Sequence, residues 1–211
     1  MRNVGIYIFD EVEVLDFAGP FEVFSTASRV FQRLQPDSAP PFSVFTVGES
    51  HTKITARGGL IVEPHFHLGT HPPIDVLVIP GGIVTAELEK PSLIAWIAAQ
   101  AQRAQLTASV CTGAFLLGKA NLLVGKRVTT HWEDIADLRG LLPNTQVLED
   151  TRWVDEGTVV TSAGISAGLD MSLHIVVRLV GKELAIRTAR QMDYEWREAA
   201  YQAGEVGGGV E

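Results

Sequence analysis

The chain has 211 residues, 46% apolar and 20% charged, enough for one α/β domain with its own core. Its 17 Lys and Arg against 25 Asp and Glu leave a formal charge of −8, which speaks against a basic nucleic-acid-binding surface. No apolar run reaches the roughly 20 residues of a membrane helix, the start lacks a signal-peptide layout, and the single cysteine, Cys111, excludes an internal disulfide framework and a multi-cysteine metal site. The expectation is a cytoplasmic protein with neither nucleic-acid nor membrane partners.

Short apolar runs alternate with longer stretches of helical period, the pattern of a mostly parallel sheet with helices on both faces. Residues 4–9 read as the first strand, followed by a helix with Pro20 in its first turn and Phe17, Phe21, Phe24 and Phe31 along one face. After a Pro-rich loop at 35–41, residues 42–47 form a second strand, and 52–63 a small hairpin turning at Arg57-Gly58-Gly59. Strands at 76–79, 107–110 and 159–161 alternate with helices at 93–104, 112–120, 133–141, 167–180 and 182–196. The Gly-rich end from Ala203 has little to bury and is expected to be mobile, so a single domain is expected over 1–196 with a tail at 197–211. That tail is too short for a helix-turn-helix module, which suggests a stand-alone protein.

The most informative segment is Ser109-Val110-Cys111-Thr112-Gly113, where a strand stops, the cysteine turns the corner and a helix begins. A corner of this kind is a nucleophile elbow, which projects its side chain from the carboxyl edge of the sheet and needs small residues two before and two after. Ser109 and Gly113 meet that need. A buried structural thiol is the bland alternative. The N-terminus of the following helix favours thiolate, so a lowered Cys111 pKa is expected.

Asp16, after the first strand, reads equally as a helix cap or as a desolvated carboxyl group able to act as a general acid beside Cys111. In Pro80-Gly81-Gly82-Ile83 a strand runs into paired glycines, whose N–H groups form either a tight turn or an anion-stabilising site. His131, in Thr129-Thr130-His131-Trp132, is a base or a structural hydrogen-bonder. The small residues around Gly164 open a helix and allow close approach to the elbow. Phe17, Phe21, Ile83 and Trp132 suggest an apolar pocket. His65, His67 and His71 read as solvated or capping groups rather than metal ligands. No glycine-rich phosphate loop is present, so nothing implies a nucleotide.

These segments together resemble the DJ-1/PfpI (ThiJ/PfpI, class I glutamine-amidotransferase-like) superfamily over roughly residues 4–190. Within it, Asp16-x-x-Gly19-Pro20, Ser109-Val110-Cys111-Thr112-Gly113 and Thr129-Thr130-His131-Trp132 are most similar to the isonitrile hydratase branch. PfpI-type peptidases carry a histidine directly after the cysteine, where this chain has Thr112, and the DJ-1 and PfpI branches usually have glutamate where it has Asp16. The resemblance implies a flavodoxin-like doubly wound fold, a homodimer, no cofactor and no metal. It also implies hydration of a small isonitrile to an N-substituted formamide by Cys111 and Asp16. Thr112, Gly81, Gly82, Ile83, His131 and Gly164 would bind substrate or stabilise charge. Two rivals remain: a glyoxalase-like enzyme acting on methylglyoxal, with His131 as proton carrier, and a ligand or oxidant sensor related to the N-terminal domains of AraC-type regulators.

Overall fold

Strands that are apolar at every position can satisfy their backbone and bury both faces only in the middle of a covered parallel sheet. The computed structural model, which describes residues 1–198, builds such a sheet. Strand β1 (Arg2–Tyr7) leads to helix α1 (Val14–Leu34) and strand β2 (Phe42–Gly48). A hairpin of β3 (Ile54–Thr55) and β4 (Ile61–Val62) precedes β5 (Phe66–His67) and β6 (Val76–Ile79). Next come α2 (Thr85–Leu88), α3 (Pro91–Ala101), β7 (Leu106–Val110), α4 (Gly113–Lys119), β8 (Arg127–Val128), α5 (Ile135–Leu141) and β9 (Gln146–Val147). Strands β10 (Trp153–Asp155) and β11 (Val159–Ser162) and helices α6 (Ala167–Leu179) and α7 (Lys182–Gln191) complete the described chain.

The main sheet has the order β10-β11-β7-β6-β1-β2-β5, parallel throughout except for the antiparallel edge pair β10–β11. β6 and β7 lie at its centre and are buried at every residue. Helices α1, α6 and α7 pack together, and α3, α4 and α5 form a second helical group. This is the α/β doubly wound architecture expected from the alternating pattern. β1 pairs with β2 on one side and with β6 on the other, so the topological switch lies between β1 and β6, where such sheets bind ligands beyond their strand ends.

Three local expectations shift. Helix α1 begins at Val14, so Asp16 sits inside its first turn rather than ahead of it, and Pro20 is interior. Pro20 has no N–H to donate to the Asp16 carbonyl one turn back, which leaves that end of the helix without one of its internal bonds. Helix α7 stops at Gln191 rather than Trp196. The edge strand β10 and the small β8–β9 pair escaped sequence reading because each is only two or three residues long. The hairpin at 52–63 forms as β3 and β4, with Gly58 and Gly59 at φ 74° and 85° in the turn. Of the expected tail, Arg197 donates its N–H to Asp170 and Glu198 pairs with Lys182, while the Gly-rich end lies outside the described residues.

The tightest junction lies where β6 and β7 end side by side. A Cβ added to Gly113 would stand 2.1 Å from the Ile79 carbonyl oxygen, a backbone atom that cannot move aside. Gly113→Ala is therefore expected to destabilise the protein by about 3 kcal/mol or more, the range of severe core overpacking, in urea unfolding followed by circular dichroism. Gly140→Ala, whose Cβ would meet no atom within 4 Å, is the control and should stay within about 1 kcal/mol of wild type.

Candidate active site

The carboxyl ends of β1, β6 and β7 bring three distant segments together. Cys111 follows β7 at φ +55°, a left-handed conformation rare for a non-glycine residue and the mark of a strained elbow. Its N–H donates to the carbonyls of Ser162 (3.1 Å) and Ala163 (3.2 Å) at the end of β11, and its carbonyl accepts the Thr130 hydroxyl at 2.8 Å. Both peptide groups are thus held from outside the elbow, which is what keeps a strained torsion in place. Ser109 is fully buried, and Gly81 faces the corner so closely that a Cβ there would lie 2.5 Å from Thr112 Oγ1 and 2.9 Å from Cys111 Cβ.

Asp16 is fully buried in the first turn of α1. Its Oδ2 accepts the Gly81 N–H at 3.0 Å, whereas Oδ1 has no hydrogen-bond partner. A buried oxygen without a donor is poorly suited to carry charge and well suited to carry a proton. Burial, opposed by the Gly81 N–H and reinforced by Glu13, raises the Asp16 pKa to about 7. The Cys111 thiol, only 7% exposed, is pushed up to about 12 by burial and by the facing Asp16 carboxylate, against the lowering effect of the Thr112 N–H. The expected low-pKa thiolate is therefore corrected: the start of the seven-residue helix α4 does not outweigh burial and a neighbouring anion.

The paired glycines do a different job from the one expected. Gly81 gives its N–H to Asp16, Gly82 gives its N–H to Thr112 Oγ1 at 2.9 Å, and Thr112 Oγ1 donates back to the Gly82 carbonyl at 2.9 Å. Neither glycine N–H is free to stabilise a developing charge; they lock Asp16 and Thr112 instead. Ile83 is half exposed, with its N–H on the Glu11 carbonyl. His131 lies against Gly164, where a Cβ would come within 2.1 Å of the ring, and its Nδ1 faces Asp134 Oδ2 at 3.4 Å. In the 167–170 segment the residue that closes on the elbow strand is Gly168, packed on Val110.

A cavity of about 210 Å³ opens over Cys111, walled by Thr112, His131, Ile165, Glu13, Asp134 and Arg57. This wall is polar, contrary to the apolar pocket expected from Phe17, Phe21, Ile83 and Trp132. Phe17 is buried, Phe21 stacks on His65, and the 74%-exposed Trp132 borders a separate groove of about 600 Å³ that shares His131 and Ile165 with the cavity. The three loop histidines are individually engaged: His65 with Thr46, His67 with the Gly69 N–H, and His71 with the Trp96 indole. Among the described residues no group of three or more His, Cys, Asp or Glu could hold a metal ion, and no helix is long and apolar enough to cross a membrane.

Residues 2–178 match the DJ-1/PfpI family. The chain belongs to that family. Isonitrile hydratase of Pseudomonas putida is 34% identical over 195 residues, covering 91% of this chain and 78% of that protein. The HTH-type transcriptional regulator GbdR of Pseudomonas aeruginosa is 24% identical over 194 residues, and the chain spans about half its length, 51%. Among solved structures, a ThiJ/PfpI family protein from Pseudomonas syringae superposes with a TM-score of 0.80 at 26% identity, over 97% of this chain and 79% of that one. DJ-1beta of Drosophila melanogaster superposes at 0.78 and 20% identity over 92% and 99%, a likeness of fold alone.

On this DJ-1/PfpI scaffold several site residues carried no clear sequence signal. Thr130 holds the elbow carbonyl through a hydroxyl that the sequence does not set apart from that of Thr129. Ile165 takes φ +48° beside the cavity, a torsion no pattern of side chains announces. Glu13, Arg57 and Asp134 reach the mouth only through the fold.

The raised Asp16 pKa has a definite sign in stability. The protonated form is favoured by folding, so its contribution is full below the ordinary value of 3.8 and is lost as pH rises through about 7. Relative to Asp16→Asn, the wild type should lose on the order of 2 kcal/mol between pH 5 and pH 8 in urea unfolding. The same substitution removes the anion facing Cys111, so alkylation of Cys111 by iodoacetamide at pH 8 should accelerate.

Proposed function

We propose that the protein is an isonitrile hydratase, converting R–NC and water to an N-substituted formamide. The observation that carries this reading is the buried pairing of Cys111 with Asp16 across the β1–β7 strand ends, with Asp16 Oδ1 unpartnered. The 34% identity to an isonitrile hydratase supplies the substrate class.

The terminal carbon of an isonitrile takes up both a nucleophile and a proton. Cys111 and Asp16 suit that double demand. As the Cys111 sulfur bonds to the carbon, its thiol proton passes to the Asp16 carboxylate, and Asp16 delivers a proton to the same carbon. The product is a thioimidate, R–N=CH–S–Cys111. Water adds to its carbon, with its two protons ending on nitrogen and oxygen, and collapse of the adduct releases R–NH–CHO and returns the thiol. Because the thiol pKa is high, transfer of its proton within the attack replaces a pre-formed thiolate. Thr112, fixed on both polar groups of Gly82, holds the first residue after the nucleophile in place. The raised thiol pKa disfavours the oxidant-sensor alternative, since sensor cysteines react as accessible thiolates.

Purified protein given cyclohexyl isonitrile should release the formamide, detected by chromatography. Cys111→Ala should abolish turnover and Asp16→Asn should lower kcat by about 10²–10⁴-fold, the worth of a positioned proton-transfer group. No turnover by wild type across aryl and alkyl isonitriles would overturn the assignment. Loss of methylglyoxal consumption in His131→Ala, with isonitriles inert, would favour the glyoxalase-like reading.

A further inference from the structure

Asp170 is a fully buried carboxylate for which the chemistry above has no use. Its Oδ2 accepts Arg152 Nε at 2.5 Å, and its Oδ1 accepts the Tyr194 hydroxyl and the Arg197 N–H, each at 3.0 Å. The Arg152 side chain is partly exposed, and an ion pair that buries a carboxylate brings little net stability; its best-attested use is to specify one arrangement among several. What Arg152 arranges is visible in its other contacts. Its carbonyl accepts the Ala163 N–H at 2.8 Å, and its Nη2 reaches Ser166 Oγ at 3.4 Å. Arg152 therefore grips both ends of the 163–166 loop.

That loop forms one wall of the site. The Ala163 carbonyl receives the Cys111 N–H, Gly164 backs the His131 ring, and Ile165 borders the cavity over Cys111. Ile165 is β-branched and sits at φ +48°, a strained conformation that persists only where the surroundings impose it. Arg152 holds the residues on either side of it, Ala163 through its backbone carbonyl and Ser166 through its guanidinium.

We propose that Arg152, oriented by the buried Asp170 carboxylate, is a positioning residue: it holds the 163–166 loop in its strained form and thereby sets the geometry of the Asp16–Cys111 pair. The inference rests on the reading that these two are the reacting groups. Its test reads Cys111 directly and needs no isonitrile, so it can fail independently of the substrate assignment.

The experiment follows iodoacetamide alkylation of Cys111 against pH in the full chain for wild type, Arg152→Lys and Asp170→Asn, with thermal unfolding in parallel. Lysine keeps the positive charge beside Asp170 but lacks the planar fork that reaches Asp170 and Ser166 together, so a changed profile in Arg152→Lys reports geometry rather than net charge. The other charged groups facing the pair are the same in all three proteins: Glu13 just ahead of α1, Arg57 from the β3–β4 connection, and His131, Glu133 and Asp134 ahead of α5. Arg152→Lys is expected to change the alkylation rate at pH 8 by about 3–10-fold, and to lower kcat on an accepted isonitrile by a similar factor with KM within about twofold. Profiles that superpose on wild type, with only the unfolding temperature lowered, would reduce the pair to a structural tie for residues 194–197 and overturn the proposal. Should Asp170→Asn fail to fold, Arg152→Lys decides alone.

Discussion

The structure turns on one backbone torsion. Cys111 can stand at φ +55° only because its N–H and carbonyl are both held by neighbouring segments, and because Gly81 and Gly113 leave room where β6 and β7 end. Any ordinary side chain at either glycine would collide with backbone or with the corner itself. The parallel centre of the sheet supplies the rigidity that this crowding needs: β6 and β7 are buried at every residue and paired in register from Val76 with Leu106 to Ile79 with Ser109. A strained corner on a mobile strand would relax; between two buried strands it has nowhere to go.

From that corner the electrostatics follow. The elbow sets a thiol against a carboxyl group, and burial raises the pKa of both while the carboxylate raises that of the thiol further. The pair is best regarded as a proton-sharing unit rather than as a thiolate with a separate acid. Such a unit suits chemistry in which one carbon must receive both a nucleophile and a proton. The surrounding hydrogen bonds are spent on organisation: Gly81 on Asp16, Gly82 on Thr112, Thr130 on the Cys111 carbonyl. The wall opposite, with Ile165 in its own strained torsion, is tied back to β10 and α6 by Arg152 and Asp170.

Much of this was legible beforehand, and for identifiable reasons. The strand–corner–helix pattern around Cys111 reads directly from apolar periodicity and small flanking residues, and the alternation of strands and helices implies the parallel sheet. Asp16 beyond the first strand and Gly81 beyond the third central strand fall at the same sheet edge once that topology is granted. Legibility ended where side-chain partners matter. The glycine N–H groups looked free because sequence does not show that Asp16 and Thr112 occupy them. The thiol looked acidic because a following helix is visible in sequence, whereas the depth of burial and a facing carboxylate are not. Phe21 and Trp132 looked like pocket walls because aromatic size is visible and direction is not.

The sequence by itself determined the fold class, the strand-to-helix corner at Cys111 and the membership of the DJ-1/PfpI family, because these rest on local patterns: period, turn chemistry and a short motif at a corner. Only the tertiary structure decided the burial that raises the pKa values of Cys111 and Asp16, the employment of Gly81 and Gly82, and the tie from Asp170 through Arg152 to Ser166 beside Ile165. These depend on which groups from separate segments are buried against one another. Burial and hydrogen-bond partnership are properties of the packed chain and have no signature in the order of its residues.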